Sequence, residues 1–329
     1  MPETKPASFY RKLLRDAWQI TRQRKRLWVF GMFAAAASTG GVMEVAGRSF
    51  RRIEHGRDLW MSLSEGSSAG LDLMGQYLRQ LQFLEPNRII GIVTILTLAG
   101  VALVVLISWS RAALMVGAAA EEEKTFGQLW RASAKHFWSV LLLNIITKAA
   151  TGLLIVLTTL PLVLFITSAQ YTDALIYFFS FLVFFPAIII VQIMAMLALV
   201  EIIQNKRSIP EAIGRAVIMF GRHWLVTLEL GLALFILVFA AGLAVLAVMV
   251  LLVIPYAIFL ILALKTATLV IFIFVHIIGF SVLATLLLAY LGAATTFQHT
   301  AWLFFYQRAL KKGGAKKVVA KLERLWAKV

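Results

Sequence analysis

Residues 225–264 read LVTLELGLALFILVFAAGLAVLAVMVLLVIPYAIFLILAL, and Glu229 is the single charged side chain among them. Because a helix crosses a bilayer with roughly 20 consecutive apolar residues, a run of this length predicts a membrane-spanning segment. Five other charge-poor runs are long enough to cross, at residues 27–47, 89–120, 139–168, 174–204 and 266–305. The sequence therefore predicts an all-α, polytopic integral membrane protein with six transmembrane helices.

The composition of the chain agrees with a membrane protein and excludes several kinds of chemistry. Of its 329 residues, 61% are hydrophobic and 15% are charged, whereas soluble domains are roughly half apolar and about a quarter charged. The absence of cysteine excludes disulfides, thiol catalysis and Cys-ligated metals. The net charge is +16, and the basic residues flank the apolar runs, which favours anionic lipid headgroups over nucleic acid as partners.

The distribution of basic residues predicts the orientation of the six spans. With the N-terminus inside, 23 of the 32 Lys and Arg residues lie on the cytoplasmic side and seven on the other side. A third span after residue 225 would move the eight basic residues of the tail outside, against the positive-inside rule. We therefore expect a basic cytoplasmic segment at 1–26, a transmembrane domain at 27–306 with an outer loop at 48–88, and a cytoplasmic tail at 307–329.

Three similar stretches place a basic cluster and a tryptophan directly before a span. They are KRLWVF at residues 25–30, KHFWSV at 135–140 and RHWLVT at 222–227, and their tryptophans are Trp28, Trp138 and Trp224. Tryptophan prefers the membrane interface and Lys or Arg the water beside it, so these tryptophans are expected to be interfacial anchors. Each stretch follows an amphipathic segment. The chain is therefore expected to form three units, each a cytoplasmic interfacial helix followed by a transmembrane hairpin.

The spacing of apolar residues predicts which face of each amphipathic segment is apolar. In the N-terminal segment, Phe9, Leu13 and Trp18 are expected to lie together. The basic face opposite them is expected to contain Arg11, Lys12 and Arg15. The other two segments each begin with residues at the spacing of a capping box. Their expected apolar faces are Phe126, Leu129, Trp130 and Phe137 in one, and Ile209, Ala212, Ile213, Val217 and Phe220 in the other.

The first predicted hairpin differs from the other two. The small-residue stretch AAAASTGG at 34–41 predicts a closely packed face of a retained first helix rather than a cleavage site. The loop at 48–88 is nearly neutral, with a flexible stretch at 64–70 and a short amphipathic helix expected at 71–84. Two interpretations of this loop stay open, a solvated loop lying on the outer surface and a partner-binding element.

The tail after Gly313 and Gly314 is predicted to form a basic amphipathic helix. Apolar residues recur on one of its faces and basic residues surround the other, which is typical of a helix that binds a lipid surface. Binding to nucleic acid or to a protein partner is the alternative. The residues expected to contact anionic lipid are Lys316, Lys317, Lys321, Arg324, Trp326 and Lys328.

Polar side chains inside the apolar runs predict a buried cluster toward the cytoplasmic half of the membrane. Lys148 lies ten residues after Trp138, about 15 Å into a core roughly 30 Å thick. An unpaired charge at that depth costs at least a few kcal/mol, so we expect polar partners or snorkelling toward the cytoplasmic face. The predicted cluster contains Asn144, Lys148, Glu229 and Arg111, and a structural role is favoured over a substrate or proton path.

The sequence contains no recognisable catalytic motif. Its five histidines, at 55, 136, 223, 276 and 299, lack the spacing of metal ligands. It has no P-loop, no Gly-rich dinucleotide fingerprint and no nucleophile elbow. We therefore expect no enzymatic activity, no metal and no cofactor.

Three stretches of the chain resemble a known family. They are GAAAEEEKTFGQLWRASAKHFW at 117–138, ALVEIIQNKRSIPEAIGRAVIMFGRHW at 198–224 and TTFQHTAWLFFYQRAL at 295–310. They are similar to bacterial six-span proteins that include the membrane domain of some glycerophosphodiester phosphodiesterases and the YciC-like inner-membrane proteins. The resemblance implies a location in the bacterial cytoplasmic (inner) membrane. Enzymatic members carry a separate phosphodiesterase domain with acidic and His metal ligands, and none is expected after the last span of this chain.

These observations favour a non-catalytic membrane module that organises lipid or a membrane partner complex. Anionic lipids, a membrane protein and a second copy of the chain are the expected partners. The alternative is a transporter or permease subunit coupled to a cytoplasmic ATPase, which the repeated hairpins and the polar residues within spans would suit. An intramembrane lipid enzyme would need acid, base or nucleophile side chains clustered at one depth, and the sequence has only scattered ones.

Overall fold

The computed structural model describes residues 6–35, 86–168, 171–265 and 269–312, and nearly all of them are helical. In chain order the helices are α1 (Pro6–Gln23), α2 (Arg26–Ala35), α3 (Pro86–Ala119), α4 (Phe126–Ala134), α5 (Phe137–Ser168), α6 (Tyr171–Asn205), α7 (Ile209–Lys265) and α8 (Leu269–Lys312). No strand occurs in these residues, so the predicted all-α class is confirmed for them. Most of the predicted outer loop and of the tail lies outside the described residues.

Within the described ranges, five helices are long and apolar enough to cross a membrane, namely α3, α5, α6, α7 and α8. α2 is a shorter apolar helix, and the remainder of the first predicted run lies outside the described residues. Helices of this length and composition fit a multi-pass membrane protein.

The described residues of 225–305, the longest apolar part of the chain, belong to two helices. α7 extends to Lys265, and α8 begins at Leu269. His223 has non-helical backbone angles, φ −134° and ψ 28°, and this kink divides α7 into an amphipathic segment and a long apolar segment. Pro255 lies inside the apolar segment, where neighbouring helices can compensate for the backbone hydrogen bond that a proline removes.

The described chain forms two compact units. The described residues of the first unit lie within 6–35, 109–140 and 193–312, and those of the second lie within 86–108 and 141–192. Part of the core of the first unit is formed by Leu27, Phe30 and Ala34 of α2, Ala113 and Leu114 of α3, and Leu129 of α4. α2 is therefore part of the core of the first unit, and retention of this first helix stays a prediction.

Within the first unit, α2 and α8 are in backbone contact at two glycines. A Cβ atom added to Gly31 would lie 2.3 Å from the carbonyl oxygen of Gly292, and one added to Gly292 would lie 2.5 Å from that of Trp28. At the same place, Thr296 donates from Oγ1 to the carbonyl of Gly292 at 2.7 Å and to that of Leu27 at 3.3 Å. Such close approach of small residues is typical of helix packing in membranes.

The second unit contains hydrogen bonds between polar side chains of its apolar helices. Asn144 of α5 donates from Nδ2 to the Oγ of Ser108 in α3 at 3.0 Å, in a buried position. Gln192 of α6 donates from Nε2 to the Oγ1 of Thr151 in α5 at 2.9 Å. Each interhelical hydrogen bond of this kind contributes about 0.6–2 kcal/mol in a membrane.

Candidate functional site

Helix α1 has a buried face and an exposed basic face. Leu13, Ala17 and Thr21 follow one another at intervals of four residues, and all three are fully buried. The opposite face exposes Arg11, Arg15, Trp18 and Arg22. The prediction that Trp18 lies beside Leu13 is wrong, because five residues rotate a side chain by about 140° around a helix. Trp18 is 54% exposed and belongs to the basic face.

Two polar contacts fix α1 to the apolar helices of the first unit. The Tyr10 hydroxyl donates to Oε2 of Glu229 in α7 at 2.8 Å, and the Arg308 guanidinium of α8 pairs with the Asp16 carboxylate. Burial, together with the hydrogen bond to the Glu229 carboxylate, raises the pKa of Tyr10 above its ordinary value. The hydroxyl therefore stays protonated at neutral pH and remains a donor to the one charged side chain of the run at 225–264.

Arg24, in the connection between α1 and α2, caps the C-terminus of α3. Its Nη1 donates to the carbonyl oxygens of Gly117 and Ala120, each at 2.7 Å, and its Nη2 donates to that of Glu121 at 2.9 Å. The last carbonyls of a helix lack hydrogen-bond partners within it and carry partial negative charge. A guanidinium there donates hydrogen bonds to them and compensates their charge. Arg24 thus fixes the point at which the chain leaves α1 and enters α2.

Helix α4 begins with the predicted capping box. The Gln128 amide donates to Thr125 Oγ1 at 3.4 Å, and the Thr125 amide donates to Gln128 Oε1 at 3.0 Å. Leu129 and Ser133 form the buried face of this short helix. The capping box therefore fixes the start of α4 so that Leu129 points into the core of the first unit.

Aromatic side chains lie beside the buried face of α4. Phe126 stacks on Phe30 of α2, and Trp130 stacks on Trp109 of α3, each with ring centroids 4.7 Å apart. Both side chains from α4 nevertheless remain exposed over more than a third of their surface. The exposed basic residues of this segment are Arg131 and Lys135.

The segment of α7 before its kink repeats this arrangement. Ala212, Ala216 and Met219 are buried, whereas Val217 and Ile218 are exposed. Within the predicted apolar face, Ala212 is buried and Val217 is exposed. The helix packs along its two alanines, because they permit the closest approach. The exposed basic residues of this segment are Arg215 and Arg222.

The three segments therefore share three kinds of surface: a buried face against the first unit, exposed aromatic or aliphatic side chains, and exposed basic side chains. A helix at a membrane interface needs all three, because protein, hydrocarbon and charged headgroups surround it together. His136, directly after α4, adds no charge to this surface at neutral pH. Burial lowers its pKa below the ordinary value, and so do the nearby charges of Lys206 and Lys135.

The predicted anchors differ in their surroundings. Trp138 and Trp224 are 76% and 54% exposed, so their rings are available to lipid. Trp28 is partly buried and donates from Nε1 to the carbonyl of Thr21 at 2.8 Å. The predicted lipid contacts of the tail, from Lys316 to Lys328, lie outside the described residues and stay a prediction.

The four members of the predicted polar cluster are divided between the two units. Asn144 and Lys148 belong to the second unit, where Asn144 bonds to Ser108 and Lys148 is exposed on the surface of α5. Arg111 and Glu229 belong to the first. Arg111 is partly buried in α3, and Glu229 accepts the hydrogen bond from α1. A cluster that joins all four stays a prediction.

A second polar group, which the sequence analysis missed, connects the end of α6 to α8. Asn205 donates from Nδ2 to Glu201 Oε2 at 2.6 Å and to the Tyr306 hydroxyl at 2.7 Å. Nε of Arg207 lies 3.5 Å from Oε2 of Glu201. Lys206, between Asn205 and Arg207 in the sequence, has a left-handed backbone conformation with φ 51°. The sequence feature that could have predicted this polar group is Glu201, a carboxylate four residues before Asn205 at the end of an apolar run.

Comparisons with known proteins add no function to this site. Among the residues that the structure describes, no group of three His, Cys, Asp or Glu side chains could hold a metal ion. No family model matches the chain, and neither does a curated protein or a solved structure.

Proposed function

We propose that the chain is a non-catalytic integral membrane module that binds anionic lipid along its cytoplasmic face and organises lipid or a membrane partner complex there. The observation that carries this proposal is the arrangement shared by α1, α4 and the first segment of α7. Each of them combines a buried face with exposed apolar and exposed basic side chains. A basic residue near an anionic surface contributes about 1 kcal/mol, so three such helices together would strongly favour anionic lipid.

The proposed orientation has six spans arranged as three hairpins in the bacterial inner membrane, with both termini in the cytoplasm. α2 would begin the first span, and α3, α5, α6, α7 and α8 would be the other five. The positive-inside rule supports this orientation, and so does the kink at His223, which places Trp224 at the start of a long apolar segment. The resemblance to six-span inner-membrane proteins is part of the same proposal.

Reporter fusions test the orientation independently of any lipid. A reporter placed at Gly66 and one placed at the C-terminus should give opposite signals, because the first position would be outside and the second inside. The same signal at both positions would contradict six spans.

Lipid selectivity of the full chain tests the function. We would replace Arg11, Arg15 and Arg22 together by glutamine and reconstitute the variant and the wild type in vesicles of equal anionic and zwitterionic phospholipid. Mass spectrometry of the lipids that stay bound after mild detergent extraction should show anionic enrichment for the wild type and a loss of about 3 kcal/mol of this preference for the variant.

The matched control for this experiment replaces Arg88 and Lys265 by glutamine. Arg88 lies at the start of α3 and Lys265 at the end of α7, and in the proposed orientation both are on the outer side. It should keep the anionic enrichment of the wild type. Equal lipid composition around all three proteins would refute the proposal. An ATPase that co-purifies with the wild type from native membranes would instead favour a permease subunit.

A further inference from the structure

An apolar crevice of about 350 Å³ lies between the C-terminal half of α7 and the N-terminal half of α8. Its wall is formed by aliphatic and aromatic side chains of both helices, among them Pro255, Phe259, Phe274 and Val275. Pockets that hold small ligands in proteins range from about 300 to 1,000 Å³ and are mostly apolar. The crevice therefore has the size and the lining of a site for a small hydrocarbon group.

The hydroxyl group in the wall of the crevice already has a hydrogen-bond partner. Tyr256 lines the crevice, and its hydroxyl forms a 2.7 Å hydrogen bond with Nδ1 of His276. Gly279 leaves room for the Tyr256 ring, since a Cβ atom there would lie 2.1 Å from it. A polar ligand would have to compete for this bond or leave its own polar groups unsatisfied. The lining therefore selects hydrocarbon.

In the proposed orientation, the position of the crevice along α7 would put it outside the hydrocarbon core of the bilayer. The 31 residues from Trp224 to Pro255 span about 46 Å of helix at 1.5 Å per residue. A core of roughly 30 Å is crossed in about 32 Å of helix at a tilt of 20° and in about 39 Å at 40°, the upper end of observed tilts. With Trp224 at the cytoplasmic boundary, Pro255 is at the level of the outer headgroups or beyond them.

We propose that this crevice binds one acyl chain of a phospholipid and holds it at the level of the outer headgroups. The occupant follows from the lining, which is hydrocarbon apart from the hydrogen-bonded Tyr256 hydroxyl. It follows also from the proposed orientation, in which the chains of the outer leaflet are the nearest hydrocarbon. Exposure of this apolar wall to water would be unfavourable in proportion to its area. The inference rests on the orientation given under the proposed function and adds a lipid site at the opposite face from the basic helices.

A photoreactive lipid tests this site in the full-length chain reconstituted in vesicles. The probe is a phosphatidylethanolamine with a diazirine near the methyl end of one acyl chain, a position that lies near the bilayer midplane in bulk lipid. After illumination, mass spectrometry of peptides should find adducts at Phe259 and Phe274, which line the crevice. It should find at least about tenfold fewer, equivalent to 1.4 kcal/mol, at Ile258 and Ile277, which are exposed beside it.

A matched pair of variants tests whether the crevice itself is responsible. Val275→Trp fills the crevice and should reduce the adducts at Phe259 about tenfold, whereas Ile277→Trp adds the same ring outside it and should leave them unchanged. Equal labelling of Phe259 and Ile258 in the wild type would overturn the proposal, as would undiminished labelling of Phe259 in Val275→Trp. Anionic enrichment at the basic helices is measured separately, so the two proposals can fail independently.

Discussion

The contact between Gly31 and Gly292 provides the sharpest test of the fold, because it requires that neither position carries a side chain. Alanine at Gly292 would place its Cβ 2.5 Å from the carbonyl oxygen of Trp28, and alanine at Gly31 would place it 2.3 Å from that of Gly292. Ordinary contacts begin at 3.4 Å. Either substitution therefore forces α2 and α8 apart by about 1 Å, because the obstructing atoms are backbone and cannot rotate away.

The expected cost is the difference between overpacking and helix propensity. Overpacking a close contact costs about 1–3 kcal/mol, and replacing glycine by alanine within a helix contributes about 0.5–1 kcal/mol of stability. Separation of the helices would break the 3.3 Å hydrogen bond from Thr296 to Leu27, but Thr296 keeps its 2.7 Å bond to Gly292. We therefore expect Gly31→Ala and Gly292→Ala each to lower the free energy of unfolding by about 1–2 kcal/mol.

The assay is denaturant unfolding of the purified protein in mixed micelles, followed by circular dichroism. Gly100→Ala and Gly152→Ala are the matched controls, because a Cβ atom at either position meets nothing within 4 Å. These controls should have an unchanged free energy of unfolding or one higher by up to about 1 kcal/mol. Only the variants at Gly31 and Gly292 should lower it. If Gly292→Ala is as stable as Gly152→Ala, α2 and α8 do not meet at these glycines and the reasoning is wrong.

Three further outcomes are expected. Arg24→Met should lower the free energy of unfolding by about 2 kcal/mol, because it removes charge-assisted hydrogen bonds to the end of α3, while Arg22→Met, on the exposed face, should change it by less than about 0.5 kcal/mol. Tyr10→Phe and Glu229→Gln should each cost about 1 kcal/mol, and the double variant should cost no more than either alone if the two side chains act through their mutual bond. A peptide of residues 314–329 should become helical on anionic vesicles and bind less as salt rises; equal binding to zwitterionic vesicles would contradict a lipid-binding tail.

The apolar helices could be predicted from the sequence because hydropathy over twenty residues depends on composition and not on packing. The run at 225–264 appears as the apolar part of α7, and the next helix begins at Leu269, close to the predicted boundary. The capping box at Thr125 was also predictable, since it depends on two residues three positions apart. Local rules of this kind need no knowledge of which helices are neighbours.

The contacts between helices could not be predicted in the same way. Small residues were expected to pack at 34–41; Ala34 and Ala35 are buried, and residues 36–41 lie outside the described part of the chain. The contact at Gly31 was not predicted, because it depends on Gly292, which is far away in the sequence. Arg24 looked like one of many basic residues, and only the position of the last turn of α3 makes it a helix cap. A single sequence identifies candidates for close packing and capping, whereas the partner that selects among them is a property of the tertiary structure.

The sequence did not predict which part of each apolar surface packs on protein, and Trp18 and Val217 show the physical reason. A helical wheel separates residues into an apolar face and a polar face. A helix at a membrane interface has three kinds of neighbour, namely protein, hydrocarbon and water. Both residues are apolar and exposed, so they would suit the hydrocarbon or the interface and not the core. Small residues decide which part of the apolar surface packs on protein, as Ala17 does in α1 and Ala212 and Ala216 do in α7.

This division of surfaces would couple the proposed lipid binding by α1 to its docking on the apolar helices. α1 has 18 residues, and most of the stability of such a helix in a protein comes from the packing of its apolar face. Its buried face and its bond from Tyr10 to Glu229 hold it on the first unit, while Arg11, Arg15 and Arg22 face outward. Docking and lipid binding both require the same helix to be formed, so each must strengthen the other by the same factor. Variants of Tyr10 or Glu229 should therefore weaken anionic lipid binding although neither residue belongs to the basic face.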